Sequence, residues 1–189
     1  MRNRAWLRWF GSALIVGGAV FFAWYGWIVH ERSSAQRRAK EALRRAIANH
    51  YSAPESPVHH GDVIGELDIP RLNVSVMIFE GDDAGILERG AGHIPRTALP
   101  AGEGNVGIAA HRDTFFRPLR GIRANDVIQL RTPTGVRQYA VTETEIVAPS
   151  DVGVLARAPG RDLTLVTCYP FYYVGNAPKR FIVHAHRIG

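Results

Sequence analysis

Three residues of this chain have the chemistry to break and remake an acyl bond: its single cysteine, Cys168, together with His111 and Arg180. A thiolate is a strong nucleophile toward a carbonyl carbon, and Cys168 ends the β-branched run that starts at Leu163 and stops at Tyr169 and Pro170. A strand fixes the backbone of such a nucleophile, while the following loop leaves room for a substrate. His111 closes the segment that begins at Asn105, with the small residues Gly107 and Ala109 on its side of the pleat. An imidazole near a thiol can give or take a proton at neutral pH. Arg180 opens the strand that follows Cys168, and its guanidinium offers fixed donors to the oxyanion of an attacked carbonyl. On residue type alone a lone cysteine is more often core packing than a catalyst, and spacing alone does not bring these three together.

The elements that must position them read as strands. Apolar residues alternate with a period of two over Val63–Ile69, Val74–Phe79, Val106–His111, Asp126–Thr132, Arg137–Val147, Leu163–Cys168 and Phe181–Ile188. Turn chemistry separates them at 82–83, 100–104, 133–135 and 159–162. This pattern predicts a closed or sandwich-like antiparallel β fold, with two short helices near 84–88 and 115–122.

The first 60 residues are of another kind. Residues 9–29 carry no formal charge, enough helix to cross a hydrocarbon layer, with Trp6, Trp9, Trp24, Tyr25 and Trp27 toward the ends where interfacial rings belong. The run is longer than the apolar core of a signal peptide and lacks a small-residue cleavage pattern, which predicts an uncleaved anchor. Residues 31–50 predict a helix with a thin apolar stripe (Ala35, Ala39, Ala42, Leu43, Ala46, Ile47), either solvated or lying on anionic headgroups. Ser52–Pro57 breaks it. The chain thus divides into a tail and transmembrane anchor (1–30), a basic stalk and linker (31–61) and a β domain (62–189). Net charge is +6, but residues 1–50 hold nine basic and two acidic residues against 14 and 15 in the rest. A near-neutral β domain lacks the footprint of a nucleic-acid binder. Six basic residues after the apolar run against three before it would, by the positive-inside rule, keep the β domain in the cytoplasm.

Leu165, Val166, Thr167 and Cys168 fit the Leu-any-Thr-Cys signature of the sortase family, and Arg180 in Lys-Arg-Phe-Ile-Val fits its arginine. His111, within Gly-Asn-Val-Gly-Ile-Ala-Ala-His-Arg-Asp-Thr-Phe-Phe, matches the segment around its histidine; Glu66–Val74 and Gly135–Val141 match as well. The chain resembles that family over 62–189, and most resembles its class D branch. The resemblance implies an eight-stranded β-barrel anchored by its N-terminus, with the catalytic domain extracytoplasmic, against the charge count. It implies a cysteine transpeptidase that cleaves a Leu-Pro-any-Thr sorting signal through a thioester on Cys168 and transfers the protein to an amine of peptidoglycan or another protein. His111 would move protons and Arg180 would hold the motif and its oxyanion. Thr167, Tyr169, Phe171 and Tyr172 are candidate substrate contacts, in a groove between the 147–162 and 169–179 connections. His184 and His186 are geometric rivals of His111 without its flanking motif. No cofactor is assigned; Glu143, Glu145 and Asp151 could bind calcium, as acidic loop residues do in some sortases, but two carboxylates alternating along a strand are more often an exposed face. The alternatives are a thiol peptidase, in which water resolves the same acyl-enzyme, and a membrane-tethered peptide-binding barrel. An L,D-transpeptidase would need Ser-His-Gly-Cys, which this chain lacks.

Overall fold

The computed structural model describes residues 3–48, 57–100, 102–156 and 161–189. Its strands close into one barrel in the order β1 (Val63–Ile69), β2 (Val74–Glu80), β3 (Ala91–His93), β4 (Gly104–Ala109), β7 (Arg161–Tyr169), β8 (Lys179–Arg187), β6 (Gly135–Val147), β5 (Val127–Thr132) and back to β1. Two neighbour pairs, β2 with β3 and β4 with β7, run parallel, and the others are antiparallel. Seven strands lie where alternation predicts them. The eighth, β3, is Ala-Gly-His, too short to show a period. Of the two expected helices, α2 forms at Ala84–Arg89, while the second is a 3-10 turn at Arg117–Gly121 that plugs the barrel with Phe116 and Leu119.

Inward residues of every long strand make the core, among them Leu67, Val76, Ile78, Ile108, Leu130, Leu163, Leu165 and Val183. On β2 the outward residues Met77 and Phe79 are buried too, in a second cluster with Ile86 of α2. What covers them is α1, a single helix from Asn3 to Ala48, through Ala39 and Leu43. The expected stalk is thus neither free in solvent nor laid out on its own. Gln36 Oε1 accepts the Met77 N–H (2.9 Å), and Lys40 Nζ sits 2.5 Å from Glu66 Oε1. Burial pushes the Glu66 carboxyl up, but the hydrogen bonds from Lys40 and Ser75 outweigh it and hold it below the usual range. The segments expected as anchor and stalk are one continuous helix, without a break at residue 30. The linker expected at 52–57 lies, but for Pro57, outside the described residues.

The expected membrane span, 9–29, is helical as part of α1, yet among the described residues no helix is long and apolar enough to cross a membrane. Within this run the side chains at 10–12 and 28–29 are outside the described set.

Far from Cys168 in the chain, Arg71 donates to both carboxylate oxygens of Asp126 and to the Gly121 carbonyl, tying the β1–β2 turn to the entry of β5. The Arg71 guanidinium, with the Arg123 N–H, holds the Asp126 carboxyl below its ordinary range. A depressed folded pKa stabilises the fold above the unfolded pKa of about 3.9, and that contribution is lost as pH falls through the folded value. Arg71→Met is therefore expected to lower the urea midpoint at pH 7, with the gap from wild type narrowing below about pH 4. An equal gap at both pH values would contradict this assignment.

Candidate active site

Cys168 and Arg180 are direct register partners on the antiparallel pair β7 and β8. His111 comes from the other side. Parallel β4 and β7 are in register up to Ala109 with Val166, and the Ala110 N–H continues the ladder to the Val166 carbonyl (3.2 Å). The same register two residues on brings His111 level with Cys168. Leu163 and Leu165 point into the core, so period two turns Cys168 to the outer face of the sheet, as it does Arg180 relative to Phe181 and Val183. All three side chains are half-buried and line one cavity of about 640 Å³.

Thr167 fixes this junction. It is 3% exposed, and its hydroxyl donates to the Ala110 carbonyl at 2.7 Å, joining the residue before the cysteine to the residue before the histidine. Arg180 Nη1 donates to the carbonyls of Ala177 (3.3 Å) and Lys179 (3.1 Å), which keeps the guanidinium at the β7–β8 hairpin. On the other flank, Arg112 Nη2 donates to the carbonyls of Tyr173 (2.7 Å) and Gly175 (3.0 Å) and so clamps the 170–178 loop to the segment after His111.

One wall of the cavity is the β6–β7 connection, with Val147, Pro149, Val152, Val154 and Leu155, as the expected groove requires. The opposite wall is not the 169–179 connection. It is built by Asp82, Leu87 and the β3–β4 segment Ile94–Thr97. Tyr169, Phe171 and Tyr172 do not line the cavity. Tyr169 and Phe171 pack with Phe181 in an aromatic cluster, and Tyr172 is exposed with the Arg120 guanidinium over its ring. Thr167 does line it, with its hydroxyl directed to Ala110.

His184 and His186 lie further along the same sheet, in a separate polar cavity. His184 Nε2 is 2.9 Å from Glu145 and His186 Nδ1 is 2.7 Å from Asp162. Neither lines the cavity that holds Cys168. Among the described residues no three His, Cys, Asp or Glu side chains converge as a metal site.

One buried group went unread in the sequence. His93 is 2% exposed, with Nε2 3.0 Å from both the Ala98 carbonyl and Thr97 Oγ1 and Nδ1 2.7 Å from Glu80. The Thr97 hydroxyl donates to the Ile94 carbonyl, so Nε2 is placed to donate to Thr97 Oγ1 and the Ala98 carbonyl, while Nδ1 hydrogen-bonds the Glu80 carboxyl group. This hydrogen-bonded cluster holds the Ile94–Thr97 wall from behind. Its partners are thirteen and five residues away on other elements, so no local motif marks it.

Thr167→Val keeps the shape and removes the hydroxyl, leaving the Ala110 carbonyl buried and unpaired at a cost of about 1–3 kcal/mol. The expected result is a lower thermal midpoint together with a roughly tenfold fall in turnover, because the histidine and cysteine strands lose their tie. Unchanged turnover would show that the backbone ladder alone sets the pairing.

The Sortase domain family matches residues 67–188. The chain is 38% identical to Sortase D of Bacillus subtilis over 129 residues, covering 68% of this chain and 65% of that protein. It is 33% identical to Sortase SrtE1 of Streptomyces coelicolor over 183 residues, covering 85% of this chain and 52% of that one. The chain therefore spans about half to two thirds of the length of the curated relatives it matches. Among solved structures, a Clostridium perfringens Sortase D5 transpeptidase superposes with a TM-score of 0.73 at 30% identity, over 82% of this chain and 99% of that one. With the family matched from within β1 to the end of β8 and the Cys168, His111 and Arg180 segments inside the match, the chain belongs to the sortase family.

Proposed function

We propose that this chain is a membrane-anchored cysteine transpeptidase of the class D kind. It cleaves a Leu-Pro-any-Thr sorting signal at Cys168 and passes the acyl group to an amine at the cell surface. The observation that carries the reading is the convergence of Cys168, His111 and Arg180 on one cavity from three neighbouring strands' ends. The similarity to sortase D proteins supports the class.

In this reading the Cys168 thiolate attacks the threonine carbonyl, and the carbonyl electron pair moves to oxygen as the C–S bond forms. Arg180 turns from the Ala177 and Lys179 carbonyls to donate to that oxyanion. As the oxyanion collapses, the C–N bond breaks and His111 gives its proton to the departing amine. A thioester remains on Cys168. An incoming amine then attacks it, His111 takes the amine's proton, a new C–N bond forms and the C–S bond breaks, which regenerates the thiolate. The apolar β6–β7 wall fits the leucine and proline of the signal.

Anchoring is supported by the bare surface of α1. Ile15 and Phe22 are each 74% exposed, and Leu14, Val16, Val20, Phe21, Trp24 and Trp27 are also exposed around the helix. A helix apolar on all sides is unfavourable in water and suits a bilayer. Residues 9–29 span about 30 Å, matching the hydrocarbon thickness. The barrel then lies on the outer side, with the short N-terminal tail in the cytoplasm. Part of the positive charge after the span serves another end, since Lys40 pairs with Glu66.

The test is intact mass spectrometry of the full chain in detergent with Leu-Pro-any-Thr-Gly and Leu-Pro-any-Thr-Ala peptides, with and without triglycine or diaminopimelate. An acyl adduct on Cys168 that an amine converts to ligated product is expected, and Cys168→Ala should abolish it. An adduct that only water resolves indicates a thiol peptidase, and peptide binding retained in Cys168→Ala with no adduct in wild type indicates a binding barrel. His111→Ala is expected to lower turnover by about 10²–10⁴.

A further inference from the structure

One wall of the catalytic cavity hangs on an element too short to stand alone. α2 has six residues, and a helix of that length is held by its caps and its packing rather than by its own propensity. At its start, Asp83 accepts from the Gly85 (2.9 Å) and Ile86 (3.3 Å) N–H groups, and His60 lies 2.5 Å from the same carboxylate. At its end, the Arg89 carbonyl, one of the orphan acceptors of a helix terminus, receives the Gln36 Nε2 of α1. The same Gln36 amide accepts the Met77 N–H from β2, so one side chain bridges three elements. The approach is close: a Cβ on Gly90 would lie 2.7 Å from Gln36 Nε2 and 2.6 Å from the Met77 carbonyl, and only glycine leaves that room.

Successive residues of α2 face opposite tasks. Ile86 is buried against Ala39 and Leu43 of α1, while Leu87 lines the catalytic cavity together with Asp82. The close packing continues beyond α2. A Cβ on Gly92 of β3 would lie 3.1 Å from Leu87 and 2.3 Å from the Gly81 carbonyl, so β3 is packed hard against the turn that carries α2. β3 leads directly into Ile94–Thr97, the rest of this wall.

We propose that Gln36 is a positioning residue of the active site, through which the docked anchor helix sets the α2 and β3 wall and thereby the affinity for the peptide. Gln36 touches neither substrate nor Cys168. Its effect belongs to ground-state binding, and the thiol's own reactivity is outside its reach. The inference rests on the reading of Cys168 as the nucleophile that turns over a sorting peptide.

The test uses the full chain in lipid nanodiscs, comparing wild type with Gln36→Ala and Gln36→Glu. Glutamate keeps the acceptor for Met77 but sets a carboxylate against the Arg89 carbonyl. With the Leu-Pro-any-Thr peptide that acylates the wild type, both variants are expected to raise KM about fivefold and leave kcat within about twofold. Alkylation of Cys168 by iodoacetamide should be unchanged, and amide exchange over residues 84–93 should be faster. Unchanged KM and exchange in both variants would overturn the proposal. So would a parallel fall of kcat and thermal midpoint, which marks a purely structural role. If no peptide acylates the wild type, the transpeptidase reading fails by itself, and amide exchange over 84–93 still decides whether Gln36 holds the wall.

Discussion

The parallel pairing of β4 with β7 is the constraint on which the cavity end of this barrel depends. β7 is paired on both sides, with β4 in parallel and β8 antiparallel, and neither partner can slip without exchanging its inward and outward faces. Inward lie Leu163, Leu165, Ile108 and Val183, all with no exposure, so a one-residue slip would turn core residues to solvent. The hydrophobic core therefore fixes which residues meet at the strand ends. The buried Thr167 to Ala110 hydrogen bond carries that register past the last ladder pair, to the level of His111 and Cys168. The meeting of Cys168, His111 and Arg180 at one cavity is in this sense a by-product of core packing.

How much of this was legible in the residues follows from the range of each interaction. Alternation marks a strand locally, and it located seven of the eight; β3 has three residues and is specified by its partners β2 and β4 instead. The Cys168, His111 and Arg180 segments could be recognised because each sits in a local motif at a strand end. The second cavity wall was misplaced for the opposite reason. Tyr169, Phe171 and Tyr172 are aromatic and adjacent to the cysteine, yet Tyr169 and Phe171 pack on Phe181 and Tyr172 meets Arg120, whereas Leu87 and Ile94–Thr97 arrive from elements 70 to 85 residues upstream. One signal for the docking of α1 was present. On β2 the outward positions Met77 and Phe79 are as apolar as the inward Val76 and Ile78, a pattern that requires a cover on both faces.

The docked helix changes how the N-terminal region works. Ala39 and Leu43 cover Met77 and Phe79, Gln36 supplies backbone partners, and Lys40 meets a buried carboxylate, so the stalk is part of the folded unit. Only about 10 Å of helix separates Val29 from Gln36. A barrel held this way is tied rigidly to α1 through residues 36–43 rather than by a flexible tether.

The most direct measurement of the central claim is a crystal structure of the chain with a Leu-Pro-any-Thr peptide analogue trapped on Cys168 as a disulfide. The account predicts the threonine carbonyl oxygen about 3 Å from the Arg180 guanidinium, with His111 on the leaving-group side and the leucine and proline against Val152 and Leu155. A peptide seated instead on Tyr172 and the 170–178 loop, with Arg180 still bonded to the Ala177 and Lys179 carbonyls, would contradict it.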